Sequence, residues 1–186
     1  MKTKFITLLV FLMSMMVSCK LENEKTTEQN NENADSTVKT TGTGFKISFS
    51  AVVDKDDAFQ IFYNEDGTEG FTGDQMVNLK IKGNPEEQTL EFVLPDDANP
   101  LNLRFDIGSN KELKQVKFNG FKMDFRGNTF SAQGSEFFKY FYPNDQVSCD
   151  TINSIAKNIG KEGKDYDPII GGTLHLRNEI EKLYKK

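Results

Sequence analysis

Residues 45–53 read Phe-Lys-Ile-Ser-Phe-Ser-Ala-Val-Val, and their alternation decides the fold. Phe45, Ile47, Phe49, Ala51 and Val53 hold one parity, and Lys46, Ser48 and Ser50 hold the other. Successive side chains of a strand point to opposite faces, so this stretch is predicted to be a strand with one buried face. The same period returns at Phe59-Ile61-Tyr63, Val77-Leu79-Ile81, Leu90-Phe92-Leu94 and Leu101-Leu103-Phe105-Ile107. It returns again at Val116-Phe118 and Phe121-Met123-Phe125, with a phase shift at Asn119-Gly120 that predicts a β-bulge or sharp bend.

Turn residues separate the runs: Asp54 to Asp57, Asn64 to Gly73, Gly83-Asn84-Pro85, Pro95 to Pro100, Gly108-Ser109-Asn110 and Arg126-Gly127-Asn128. Short strands at this spacing, with no helix between them, predict a sandwich or barrel. One-sided alternation favours antiparallel sheets. The expectation is a mainly β protein: an antiparallel β-sandwich of jelly-roll type over 44–142. A C-terminal helical extension over 143–186 is expected to pack on it with one or two short helices. Asp150 can cap the first, carrying Ile152, Ile155, Ala156 and Ile159. The second is expected from Thr173, with Leu176, Ile180, Leu183 and Tyr184 on one face and Lys185 and Lys186 at its C-terminus.

The chain has 186 residues, enough for one domain with its own core. Phe dominates the apolar residues with 16 copies, and Trp is absent. Net charge is −5, and an acidic surface repels phosphate backbones, so nucleic acid is not an expected partner. The arginines Arg104, Arg126 and Arg177 are scattered along the chain.

The first residues have a different texture. Lys2 and Lys4 precede the apolar run Phe5 to Val17, which is too short for a stable membrane span and fits an export signal. It ends Met16-Val17-Ser18-Cys19, which resembles the lipobox of bacterial lipoproteins, with Met16 where Leu is commoner. The resemblance implies that residues 1–18 are a signal peptide removed on export. It also implies that Cys19 carries diacylglycerol and an N-acyl chain such as palmitate. Several chains together would hold the protein on a membrane. Loss of Lys2 and Lys4 would leave a charge of about −7.

Residues 19–43 then form the expected disordered tether, rich in Glu, Asn and Thr. Its length as a coil is roughly 5–6 Å × √24, or about 27 Å. Glu22 and Glu24 resemble the acidic tag that directs some lipoproteins to the outer face of the outer membrane; plain spacer composition is the alternative. The expected location is the cell envelope, lipid-anchored, at the outer membrane, with cell-surface exposure left open. With Cys19 lipidated, Cys149 lacks a partner in the chain. It is expected to be either buried and inert or exposed and reactive.

Three segments resemble carbohydrate-binding-like β-sandwich modules that accompany bacterial surface-polysaccharide glycosyltransferases. They are Phe59-Gln60-Ile61-Phe62-Tyr63, Leu101-Asn102-Leu103-Arg104-Phe105-Asp106 and the strand from Val116 to Met123. Ile107 stands where that pattern has Pro. The resemblance covers about 70 residues and implies a sandwich and proximity to glycan.

Little catalytic chemistry is legible. His175 is the sole histidine and reads as a surface residue of a helix; no zinc spacing, phosphate loop or nucleophile elbow is present. No metal or cofactor is expected. Glu65, Asp66, Glu69 and Asp74 crowd one loop that could hold Ca²⁺ or be a solvated turn. The EF-hand spacing fails there, with Phe62 first and Gly73 twelfth.

A sugar needs an aromatic surface with a few placed polar groups. Tyr63, Asn64, Asp66, Phe71 and Asp74 around the long loop, with Tyr140 and Tyr142, are the candidate ligand-binding residues. Packing in the core or at an edge is the alternative for the aromatics. Non-enzymatic binding of glycan or another envelope ligand through loops is the first expectation. A structural or protein-interaction subunit of an outer-membrane assembly is the second, and a hydrolase using two carboxylates is the third.

Overall fold

β1 (Lys46–Val53) buries Ile47, Phe49, Ala51 and Val53 completely while its other parity stays half-exposed, as the alternation requires. It belongs to a computed structural model in which residues 43–185 are described. The signal sequence at 1–18, the lipidation at Cys19 and the tether up to residue 42 lie outside the described residues.

Two antiparallel sheets form a mainly β sandwich. The six-stranded sheet runs β4 (Asn84–Val93), β1, β6 (Gln115–Phe125), β10 (Ile155–Asn158) and β9 (Val147–Asp150), with β7 (Asn128–Gln133) also paired to β6. The five-stranded sheet runs β3 (Met76–Ile81), β2 (Asp57–Asn64), β5 (Asn102–Asp106), β11 (Ile169–Gly172) and β8 (Phe141–Pro143). From β3 to β6 each successive strand changes sheet, the crossing habit of a jelly roll. The expected bulge is present: Ser50 pairs with Gly120 but Ala51 with Phe118, leaving Asn119 as the extra residue.

The sheets meet on phenylalanine. Phe49 of β1 stacks on Phe105 of β5 at 4.4 Å between centroids and 7° between planes. Phe92, Phe118, Phe121, Phe137 and Phe141 surround Phe49 at 5.5–6.2 Å. Phe137, on the short helix α1 (Phe137–Tyr140), stacks on Phe118 at 4.0 Å and on Phe141 at 4.8 Å. Offset rings add about 0.5–1.5 kcal/mol per pair beyond area burial.

Helix α2 (Leu174–Tyr184) forms where expected. The Thr173 hydroxyl accepts from the Leu176 N–H, and Leu176, Ile180 and Leu183 are buried. Tyr184 packs on Phe45 and Phe125 and donates to the Pro100 carbonyl at 2.8 Å.

The other expected helix is corrected. Residues 147–158 are a hairpin, β9 and β10, joined by a turn. The Asp150 carboxylate does accept from the backbone N–H groups of Ile152 and Asn153, but it caps a turn, and Ser154 completes that turn at φ 57°. A capping Asp looks the same in sequence before a turn and before a helix. The free edge of β6 at Gln115–Lys117 takes up Ile155–Lys157 and decides the outcome. Strands therefore continue past residue 142, the boundary expected for the sandwich, and the 143–186 segment is helical only over α2.

Substituting Phe49→Ala should lower unfolding free energy by about 3–5 kcal/mol in urea denaturation. Ile152→Ala, at a position 88% exposed on the hairpin turn, should stay within about 0.5 kcal/mol of the parent. A large loss for Ile152→Ala would mean that this segment packs in another way.

Candidate functional site

Because Phe59, Ile61, Phe105 and Ile170 point into the core, their neighbours of opposite parity share the outer face of the five-stranded sheet. The register lines them up. Met76, Phe62, Arg104, Gly171 and Tyr142 form one row across all five strands. Asn78, Gln60, Asp106 and Ile169 form the next.

Arg104 is the centre of the first row. Its Nε donates to Asp106 Oδ1 at 2.8 Å and its Nη2 to Oδ2 at 2.6 Å, a bidentate pair between side chains 25% and 11% exposed. The guanidinium carbon lies 4.2 Å from the Phe62 ring centroid and 5.8 Å from that of Phe71. Burial pushes the Asp106 carboxyl up from its ordinary value more than Arg104 pulls it down, and the charge of Asp167 adds to the rise. The bond to Asp106 raises Arg104 in turn, although burial opposes the rise. A guanidinium does not deprotonate in proteins, so Arg104 remains a donor to both Asp106 oxygens.

Tyr142 closes the row at the β8 edge, 43% exposed. It pairs with Gly171, and a Cβ at that glycine would lie 2.7 Å from the Tyr142 Cζ and 2.9 Å from its hydroxyl. The bare backbone of Gly171 therefore lets the hydroxyl end of the ring lie down on the sheet.

The loop between β2 and β3 brings Phe71 to Arg104, and Asn64 holds it there. The Asn64 Nδ2 donates to the carbonyls of Thr68 at 2.9 Å and Gly70 at 2.8 Å, and its Oδ1 accepts from the Gly67 N–H at 3.1 Å. Asn102 Nδ2 also donates to Thr68 at 2.7 Å, and Arg177 of α2 reaches the Gly67 carbonyl at 3.4 Å.

The residues expected to bind a ligand thus divide. Tyr63, at 7% exposure, and Tyr140, at 5%, lie in the core. Asn64 is buried and serves the loop. Asp66 and Asp74 are exposed, and hydrogen bonds from Thr68 and Thr72 hold their carboxyls below the usual value. Phe71, half-buried, and Tyr142 remain on a shared face.

The residues that sequence reading missed are Phe62, Arg104, Asp106 and Gly171. Their signal was the parity of β5: Arg104 and Asp106 flank an inward Phe105, two residues apart on one face.

Glu65 turns away from the loop to accept from the Asn99 N–H at 2.7 Å. Among the described residues no three carboxylate, His or Cys groups stand close enough to share a metal ion. Cys149 is half-buried against the core, and burial pushes its thiol up to about 11, which keeps it protonated near neutral pH.

Two open depressions, of about 360 and 260 Å³, lie on the other sheet. The smaller is floored mainly by Ser48, Ser50, Thr89, Gly120 and Ser131. Lys122 and Gln133 also line it, but its rings, Phe49 and Phe121, are buried, so it offers no exposed aromatic surface to a ligand.

Asn64→Ala removes three hydrogen bonds from the loop while leaving the sheets intact. Limited proteolysis should then cut between residues 65 and 74 at least about tenfold faster. Asp66→Ala, which loses only exposed hydrogen bonds from Thr68, should cut at the parent rate.

Comparison with known proteins gives no match to a protein family, to a curated protein or to a solved structure.

Proposed function

We propose that this chain is an exported lipoprotein, anchored through Cys19 in the cell envelope, that binds glycan without chemically altering it. The observation that carries the binding half is the outer row Phe62–Arg104–Gly171–Tyr142. It combines aromatic surface with a few fixed polar groups, the general composition of a small-molecule site. A sheet face also suits an extended chain: three strand spacings separate Phe62 from Tyr142, roughly 14 Å. The anchoring half rests on the basic start, the short apolar run and Ser18-Cys19.

Binding is favoured over hydrolysis by the state of Asp106. Both of its oxygens accept hydrogen bonds from Arg104, so neither is turned toward a glycosidic oxygen as a general acid would be. The resemblance of the β2, β5 and β6 segments to carbohydrate-binding-like modules points the same way.

Two measurements on the chain expressed in a bacterium with lipoprotein processing test the reading. Mass spectrometry of the membrane fraction should find a chain lacking residues 1–18 with acyl mass at Cys19. Detergent-solubilised protein should be retarded by envelope polysaccharide in affinity electrophoresis, and Phe71→Ala should weaken the retardation. An unmodified Cys19 would overturn the anchor. Absence of retardation, with a stoichiometric envelope protein co-purifying, would replace glycan binding with the assembly-subunit reading.

A further inference from the structure

Resting on the glycan reading above, we infer that this face selects an uncharged sugar and that the Arg104 guanidinium grips the oxygens of two adjacent hydroxyls. A lone arginine on a sheet would favour a carboxylate or sulfate. Arg104 is not alone: Nε and one Nη2 hydrogen already bind Asp106, which cancels its charge. A further negative charge, that of Asp167, acts on both members of the pair. The nearby Phe71 loop carries the exposed Asp66, Glu69 and Asp74 against the cation Arg177, which is bound to the Gly67 carbonyl. Lys80 lies further along the face, two rows away on β3. An anionic ligand would enter a field of its own sign, whereas a neutral one would not.

Donors remain for a neutral sugar. A guanidinium has five N–H groups, and Asp106 takes two. Among the described residues nothing else hydrogen-bonds to Arg104. Nη1 and the second Nη2 hydrogen therefore form a free fork, suited to two oxygens on neighbouring carbons. Phe62 and Phe71 pack against the guanidinium and fix its plane. Asp106 is thus a positioning residue, and Arg104 the contacting one.

Tyr142 lies two strands from Arg104 along the row, roughly 10 Å away by sheet spacing. One sugar ring can stack there while another meets the fork, which makes the ligand an oligosaccharide. Gln60 and Asn78, in the adjacent row, supply amides for further hydroxyls.

The test is a glycan array carrying neutral hexose polymers, polyuronates, sulfated glycans and sialylated glycans. It is probed with the full chain in detergent at about 50 mM and about 500 mM NaCl. The expected result is binding to neutral glycans alone, unchanged by salt. Tyr142→Ala and Arg104→Lys should each reduce it at least about fivefold, lysine keeping the charge but lacking the fork. Tyr142 is exposed, so its variant remains informative if Arg104→Lys unfolds, which thermal melting would reveal.

Binding to polyuronate, sulfated or sialylated glycans that weakens with salt would overturn the inference and leave the glycan reading standing. Binding to neutral glycans that survives both substitutions would overturn the assignment to this face. Failure to bind any class on the array would overturn the glycan reading itself.

Discussion

The stack of Phe49 on Phe105 is the contact on which the remaining arrangement depends. It joins β1 of one sheet to β5 of the other at the centre of the sandwich. Once Phe105 points inward, strand geometry leaves Arg104 and Asp106 no choice but the outer face. One buried ring therefore fixes both the closure of the fold and the phase of its most distinctive surface pair. The same logic extends along the register: inward Ile61 sends Phe62 outward, and inward Ile170 sends Gly171 outward.

The surface row is supported from behind and from the side. Behind it lies a core of phenylalanines that resists a change of strand phase, since a one-residue slip would turn that strand's inward rings to the outside. To the side, Asn64 and Asn102 fasten the loop that carries Phe71, and α2 adds a contact through Arg177. A surface held in one arrangement before a ligand arrives loses less entropy on binding. Asp106 has both oxygens bonded in the free protein, and Arg104 is held in place by that contact and by Phe62.

Much of the fold was legible because it is written in period two. The Phe45–Val53 run, the Asn119-Gly120 bulge and the Thr173-capped helix all follow from local chemistry. The β9–β10 hairpin was not legible, because a capping Asp precedes turns as well as helices and the vacancy at the β6 edge is a tertiary fact. For the site, aromatic content pointed to Phe71 at the long loop and to Tyr142 in the separate Tyr140–Tyr142 group. It misled at Tyr63, which strand parity turns inward, and at Tyr140, which helix α1 buries against the core. The Arg104–Asp106 pair was visible as neighbouring letters in a motif, but its pairing with Phe62, Gly171 and Tyr142 exists only in the register of four strands.

The most direct test of the account is an amide and arginine side-chain NMR titration of the folded protein with a neutral oligosaccharide that it retains. Binding at the outer face of the five-stranded sheet predicts shifts at Phe62, Phe71, Gly171, Tyr142 and the Arg104 Nε–H, with the opposite sheet silent. Shifts gathered instead at Ser48, Ser50, Gly120 and Ser131 would contradict it.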